Sequence, residues 1–98
     1  MTKWDAHIIF DVEADGPAPG LFNMISFGLV SLTNPERSFL GEVAPVLDHP
    51  GIAEGREIAG ISFETQKAYR PPSVVMPEAH SWLREICGDK RPIFWSDN

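Results

Sequence analysis

The chain has 98 residues and a mass of 10.9 kDa, a length that holds one domain with a single modest core. Its 14 Asp and Glu against 8 Lys and Arg give a net charge of −6, which excludes binding of a polyanion through summed charge, so any contact with nucleic acid must be local. Cys87 is the only cysteine, which excludes an intrachain disulfide framework and fits a reducing, cytoplasmic setting; no apolar run reaches the roughly 18 to 20 residues of a membrane span.

His7 to Val12 reads His-Ile-Ile-Phe-Asp-Val, a short and nearly continuous apolar run rich in β-branched and aromatic residues, which predicts a buried strand. The stretch Asp15-Gly16-Pro17-Ala18-Pro19-Gly20 then breaks regular structure. Leu21 to Leu32 is a second apolar run closed by Thr33-Asn34-Pro35-Glu36, and Ser38 to Val46 predicts a third strand, which Pro45 assigns to an edge. Pro50, Gly51, Gly55 and Gly60 predict a long connection without a continuous helix between Leu47 and Ile61.

Ser62 can cap a short helix that has Glu64 in its first turn, and Pro71-Pro72 is expected to stop it. Pro77 suits the first position of a second helix, in which Ala79, Trp82, Leu83 and Ile86 recur at helical spacing and Gly88 supplies the stop. Ile93 to Ser96 predicts a fourth strand, with Trp82 and Trp95 expected in the core. The order strand, strand, strand, helix, helix, strand permits an antiparallel meander followed by a crossover that brings the fourth strand parallel to the first.

Asp11 and Glu13 stand two apart on the first predicted strand, so their side chains share a face with Cα atoms roughly 6.6 Å apart. Two like charges beside apolar neighbours call for a raised pKa, a cationic partner or a metal. Hard carboxylate oxygens suit Mg²⁺ or Mn²⁺, and a pair of such ions is the usual clamp for in-line phosphodiester hydrolysis. A solvated strand end is the competing reading of the same spacing. Asp15 is read as favouring the turn, with a metal-bound water as the alternative. His49 and His80 are expected at the surface, and His7 is assigned no role.

Phe10 to Gly16, Phe-Asp-Val-Glu-Ala-Asp-Gly, follows Ile8-Ile9 and precedes a glycine-containing loop and a second apolar strand. It resembles the first exonuclease motif, Asp-x-Glu-x-x-Gly, of the DEDD (DnaQ-like) superfamily of 3′-to-5′ exonucleases, with Asp11, Glu13 and Gly16 at the matching positions. Phe94-Trp95-Ser96-Asp97-Asn98 is similar to the opening of that family's second motif, His-Asn-x-x-Phe-Asp, with Asn98 at the Asn position and Asp97 where His is frequent. The resemblance covers essentially the whole chain and only the first half of a family domain.

The resemblance implies an α/β, ribonuclease H-like fold: a mixed sheet with a three-strand antiparallel meander, a helical crossover and a fourth parallel strand, apparently truncated, as one partial exonuclease-like domain over 1–98. It implies Asp11 and Glu13 as catalytic and metal-binding residues, two Mg²⁺ or Mn²⁺ ions in the complete site, and a 3′ end of single-stranded DNA or RNA as partner. Phe22, Asn23, Met24 and Asp97 are the implied substrate contacts, against a core role for Phe22 and Met24. With two of the family's four carboxylates outside the sequence unless Asp97 substitutes for one, this chain alone is expected to lack part of the active site, its apolar sheet completed by a missing half or by a second copy. The alternative is a non-catalytic ribonuclease H-like interaction module or dimer. A Rossmann-type reading fails on the absence of a Gly-x-Gly-x-x-Gly loop.

Overall fold

The computed structural model describes residues 3–17 and 21–96. Its elements in chain order are β1 (Asp5–Ala14), β2 (Met24–Ser31), β3 (Ser38–Glu42), α1 (Ala53–Ala59), α2 (Phe63–Lys67), α3 (Pro72–Cys87) and β4 (Arg91–Trp95). The sheet order is β3-β2-β1-β4, with β1–β2 and β2–β3 antiparallel and β1–β4 parallel, as the short and long connections predict. Chain reversal within a few residues forces antiparallel neighbours, while the three helices give β4 the length it needs to return in parallel.

The alternation along β1 and β2 divides the sheet into two faces. Ile8, Phe10 and Val12 pair across β2 with Ser31, Leu29 and Phe27 on one face, while Ile9, Asp11 and Glu13 lie opposite Val30, Gly28 and Ser26 on the other. The first face packs on α3: Ile8, Phe27, Leu29, Val43, Val75 and Ala79 form the core, with Trp82, Leu83 and Ile86 of α3 against it. The second face is open, and Ile9 is 43% exposed. The expectation of a buried first strand is therefore corrected, because the core formed with α3 covers one face of the sheet and Ile9, Asp11 and Glu13 on the other are exposed.

Close packing explains one glycine. Gly41 of β3 is buried, and a methyl group added there would meet the ring of Phe27, which itself stacks on Phe39. Gly41→Ala is expected to cost about 1–3 kcal/mol through overpacking, measured as a lower urea midpoint.

Three helical expectations change. The connection between Leu47 and Ile61 holds α1, which Gly60 ends at φ 73° by donating its N–H to Arg56 O. None of its residues is buried, so docking against β1 rather than an amphipathic pattern supports it. The third helix starts at Pro72, with Pro71 extended before it, and Pro77 lies inside the helix instead of opening it. A proline there removes one i→i−4 bond and leaves the Ser73 carbonyl without it, a loss that solvent can offset because Ser73 and Pro77 are both exposed. Ser62 caps α2 as expected, its hydroxyl accepting from Thr65 N at 3.1 Å. β3 is shorter than predicted, and Val43 beyond it forms a bridge with Arg70 ahead of Pro45.

Candidate functional site

Both Asp11 and Glu13 are exposed on the open face, as their two-residue spacing requires. Neither takes part in an ion pair among the described residues, although five such pairs are formed elsewhere. Among the described residues, Asp11 Oδ1 accepts only from the next backbone amide, Val12 N, at 3.0 Å. Its cross-strand neighbour is Gly28, beside which there is open space, so no side chain of β2 crowds the carboxylate.

Two grooves lie along β1, of which one reaches Asp11. One of about 400 Å³, lined by Ile9, Phe10, Asp11, Trp95 and Ser96, runs toward β4. The other, of about 300 Å³, lies between the end of β1 and α1 and is lined by Ala14, Gly16, Pro17, Ile52, Glu54, Gly55 and Ile58. Between Glu13 and Ala14 the register slips: Glu13 faces Ser26 and Ala14 faces Met24, so β2 contributes an extra residue at Ile25. A bulge at this position increases the local twist of the strand pair beside the second carboxylate.

Just beyond the bulge lies a polar cluster that residue spacing does not reveal. Asp15 is fully buried; its Oδ1 accepts from Asn23 N at 2.6 Å, and its Oδ2 accepts from Asn23 Nδ2 at 3.0 Å and from Arg56 Nη2 at 2.9 Å. Asn23 is 2% exposed and spends its whole amide: Oδ1 accepts from Val46 N and Leu47 N, while Nδ2 donates also to Leu47 O and His49 O. The expected substrate contact at Asn23 is thus left without a free polar atom, and Asp15 is a buried anchor rather than a simple turn former. The only legible hint was an acid in a Gly-Pro loop; its partner Arg56 lies 41 residues away.

The remaining expected residues divide. Phe22 is half-buried, with its ring over Gly16 and edge-on to His49, beside the carboxylate end of β1. Met24 packs on the core, and its carbonyl accepts from Gln66 Nε2. Asp97 lies outside the described residues. Trp82 is half-buried against the core, whereas Trp95 is 54% exposed, correcting its expected core position: it lies on the open face and donates from Nε1 to His7 Nδ1 at 2.8 Å. His49 and His80 are exposed, as expected. Burial on α3 pushes the Cys87 thiol above its ordinary pKa, which disfavours the thiolate and any nucleophilic role.

The donor set suits a hard divalent cation in kind and falls short of it in number. Carboxylate oxygens are what Mg²⁺ and Mn²⁺ take. No group of three or more His, Cys, Asp or Glu side chains able to hold a metal occurs among the described residues. No helix of the described residues is long and apolar enough to cross a membrane.

No family model matches the chain, and no curated protein matches it in sequence. Solved structures do match it in shape. The nuclease domain of 3′hExo, described as a DEDDh family member bound to rAMP, superimposes with a TM-score of 0.75 at 20% identity over 99% of this chain and 54% of that one. The fold is ribonuclease H-like. Cell-death related nuclease 4 (CRN-4) matches with a TM-score of 0.72 at 21% identity, over 97% of this chain and 36% of its own. The metal-free E. coli exonuclease I–ssDNA complex matches with a TM-score of 0.71 at 17% identity, over 94% and 20%. This chain therefore spans about half of the 3′hExo chain, about a third of the CRN-4 chain and about a fifth of the exonuclease I chain. What it shares with them is the meander, the helical crossover and the parallel fourth strand that present Asp11 and Glu13.

Proposed function

We propose that this chain carries the first two carboxylates of a metal-dependent 3′-to-5′ exonuclease that hydrolyses phosphodiesters at a single-stranded DNA or RNA end. The observation that carries the reading is the pair Asp11 and Glu13, exposed on one face without ion-pair partners among the described residues, with a groove at Asp11, in a fold shared with exonuclease domains. The complexes of 3′hExo with rAMP and of exonuclease I with ssDNA support a nucleic-acid end as substrate. Asp11 and Glu13 would hold Mg²⁺ or Mn²⁺, which when bound supplies Lewis-acid charge for the attacking water and the leaving oxygen. Phe22, its ring over Gly16 just past the end of β1, offers apolar surface for a terminal nucleotide.

Two carboxylates do not close such a site, so the reading includes completion by further polypeptide, either a second copy or additional sequence. The open face supports this, with Ile9, Leu40 and Trp95 at 43%, 67% and 54% exposure. A cytoplasmic setting goes with the reading, supported by the single cysteine.

The test is calorimetric titration of Mn²⁺ into the chain and into Asp11→Ala/Glu13→Ala, beside a 3′-end degradation assay on a labelled single-stranded oligonucleotide. Binding that disappears in the double variant is expected. Degradation lost with it would show that the chain or its oligomer completes the site, and binding without degradation would leave a half-site. No binding by the wild-type chain would replace the exonuclease with a non-catalytic module of the same fold.

A further inference from the structure

We propose that Asp15, Asn23 and Arg56 are positioning residues for the carboxylate pair, forming a buried latch that holds the end of β1 and docks α1 beside it. The purpose assigned to the latch rests on the exonuclease reading; its existence rests on the geometry alone. Past the bulge the ladder continues in one direction by ordinary means, with Asp15 N donating to Asn23 O at 2.9 Å. In the other direction the side chain of Asp15 takes the place of its own carbonyl, and Asn23 N donates to Oδ1 at 2.6 Å.

That exchange frees the carbonyl of Asp15 to accept from Ile52 N, the cap residue of α1, at 2.8 Å. One residue thus joins the end of β1 to β2 through its side chain and to α1 through its backbone. Arg56, on α1, closes the loop by donating to Asp15 Oδ2 at 2.9 Å and from Nε to Pro50 O at 2.8 Å. The approach is close enough to demand glycine: at Gly51, at φ 72°, and at Gly55 a Cβ would run into Asp15.

The consequence follows from the short lever. Glu13 is two residues from the anchor and adjoins the bulge, so rotation of the strand end turns its carboxylate relative to that of Asp11. A carboxylate pair that must meet one small ion tolerates little such rotation, and residues that orient metal ligands from behind typically change affinity 10–100-fold when removed.

The experiment compares Arg56→Met with the wild-type chain and with Arg70→Met, a control that breaks the exposed Arg70–Glu78 pair. Amide hydrogen exchange is read at Asp15, Asn23 and Ile52 against Leu29 in the core, and Mn²⁺ affinity is read by calorimetry. Arg56→Met is expected to lose protection at the three amides while Leu29 keeps it, and to bind Mn²⁺ about tenfold more weakly; Arg70→Met is expected to change neither. Should Arg56→Met fail to fold, Arg56→Lys is read by the same criteria with smaller losses expected, since it keeps the charge and loses the fork.

Unchanged protection at the three amides overturns the latch. Lost protection with unchanged Mn²⁺ affinity overturns the positioning role and leaves a structural latch only. A wild-type chain that takes up no Mn²⁺ overturns the exonuclease reading and the positioning role together, while the exchange comparison still decides the latch.

Discussion

Asp15→Ala is expected to lower the unfolding free energy by about 3–5 kcal/mol, the cost of breaking a buried ion pair by removing one partner. The magnitude follows from what remains behind. The Arg56 side chain is 10% exposed and would keep its charge without the carboxylate it faces. Asn23 N would lose its acceptor at a site where water enters poorly, and Asn23 Nδ2 would lose one of three. Urea unfolding followed by circular dichroism checks this through a large fall in midpoint at constant slope. Glu78→Ala, which breaks the exposed pair with Arg70, is the comparison and should leave the midpoint near the wild-type value, because the Arg70 left behind is solvated. Equal effects for the two variants would mean that the Asp15 pair is solvated as well.

Ile8→Ala is expected to cost about 2–5 kcal/mol, whereas Ile9→Ala, one residue along the same strand, should cost roughly 0.5 kcal/mol. Ile8 is fully buried in the core beneath α3, so truncation opens a cavity that its neighbours fill only in part. Ile9 projects from the open face at 43% exposure, and less of its surface returns to water on unfolding. The pair of variants measures which face of the sheet carries the stability. If further polypeptide covers the open face in an oligomer, the cost at Ile9 rises with protein concentration while the cost at Ile8 does not.

Both results bear on how the site is built. The carboxylates occupy the face that this chain leaves open, and the covered face supplies the rigidity beneath them. Asp11 therefore sits between Phe10 and Val12, whose side chains pack on the core, so the backbone that carries it is held by side chains of the opposite sign of polarity. Glu13 lies where that support ends and the bulge begins. The latch at Asp15 takes over from the core at this point, and it does so with a buried charge because the loop it ties down offers backbone amides and carbonyls rather than apolar side chains.

The meander, the parallel return of β4 and the shared face of Asp11 and Glu13 could all be read from the sequence. Each depends on local physics: period-two alternation, turn residues between apolar runs, and the length a parallel crossover needs. The resemblance of Phe10–Gly16 to an exonuclease motif points to the fold that this chain shares with 3′hExo, CRN-4 and exonuclease I. Tertiary structure alone decided the rest. α1 forms where glycines and a proline argued against it because Asp15 holds both its cap and its Arg56. α3 runs through Pro77 because its core side chains Val75 and Ala79 bracket the proline, and their burial outweighs one missing backbone bond. Trp95, a large aromatic residue, lies exposed because no described element crosses its face. Asp15 reads as a turn acid and is a buried anchor, since the partner that makes its burial tolerable lies 41 residues along the chain, a separation over which spacing carries no signal and only folding brings the charges together.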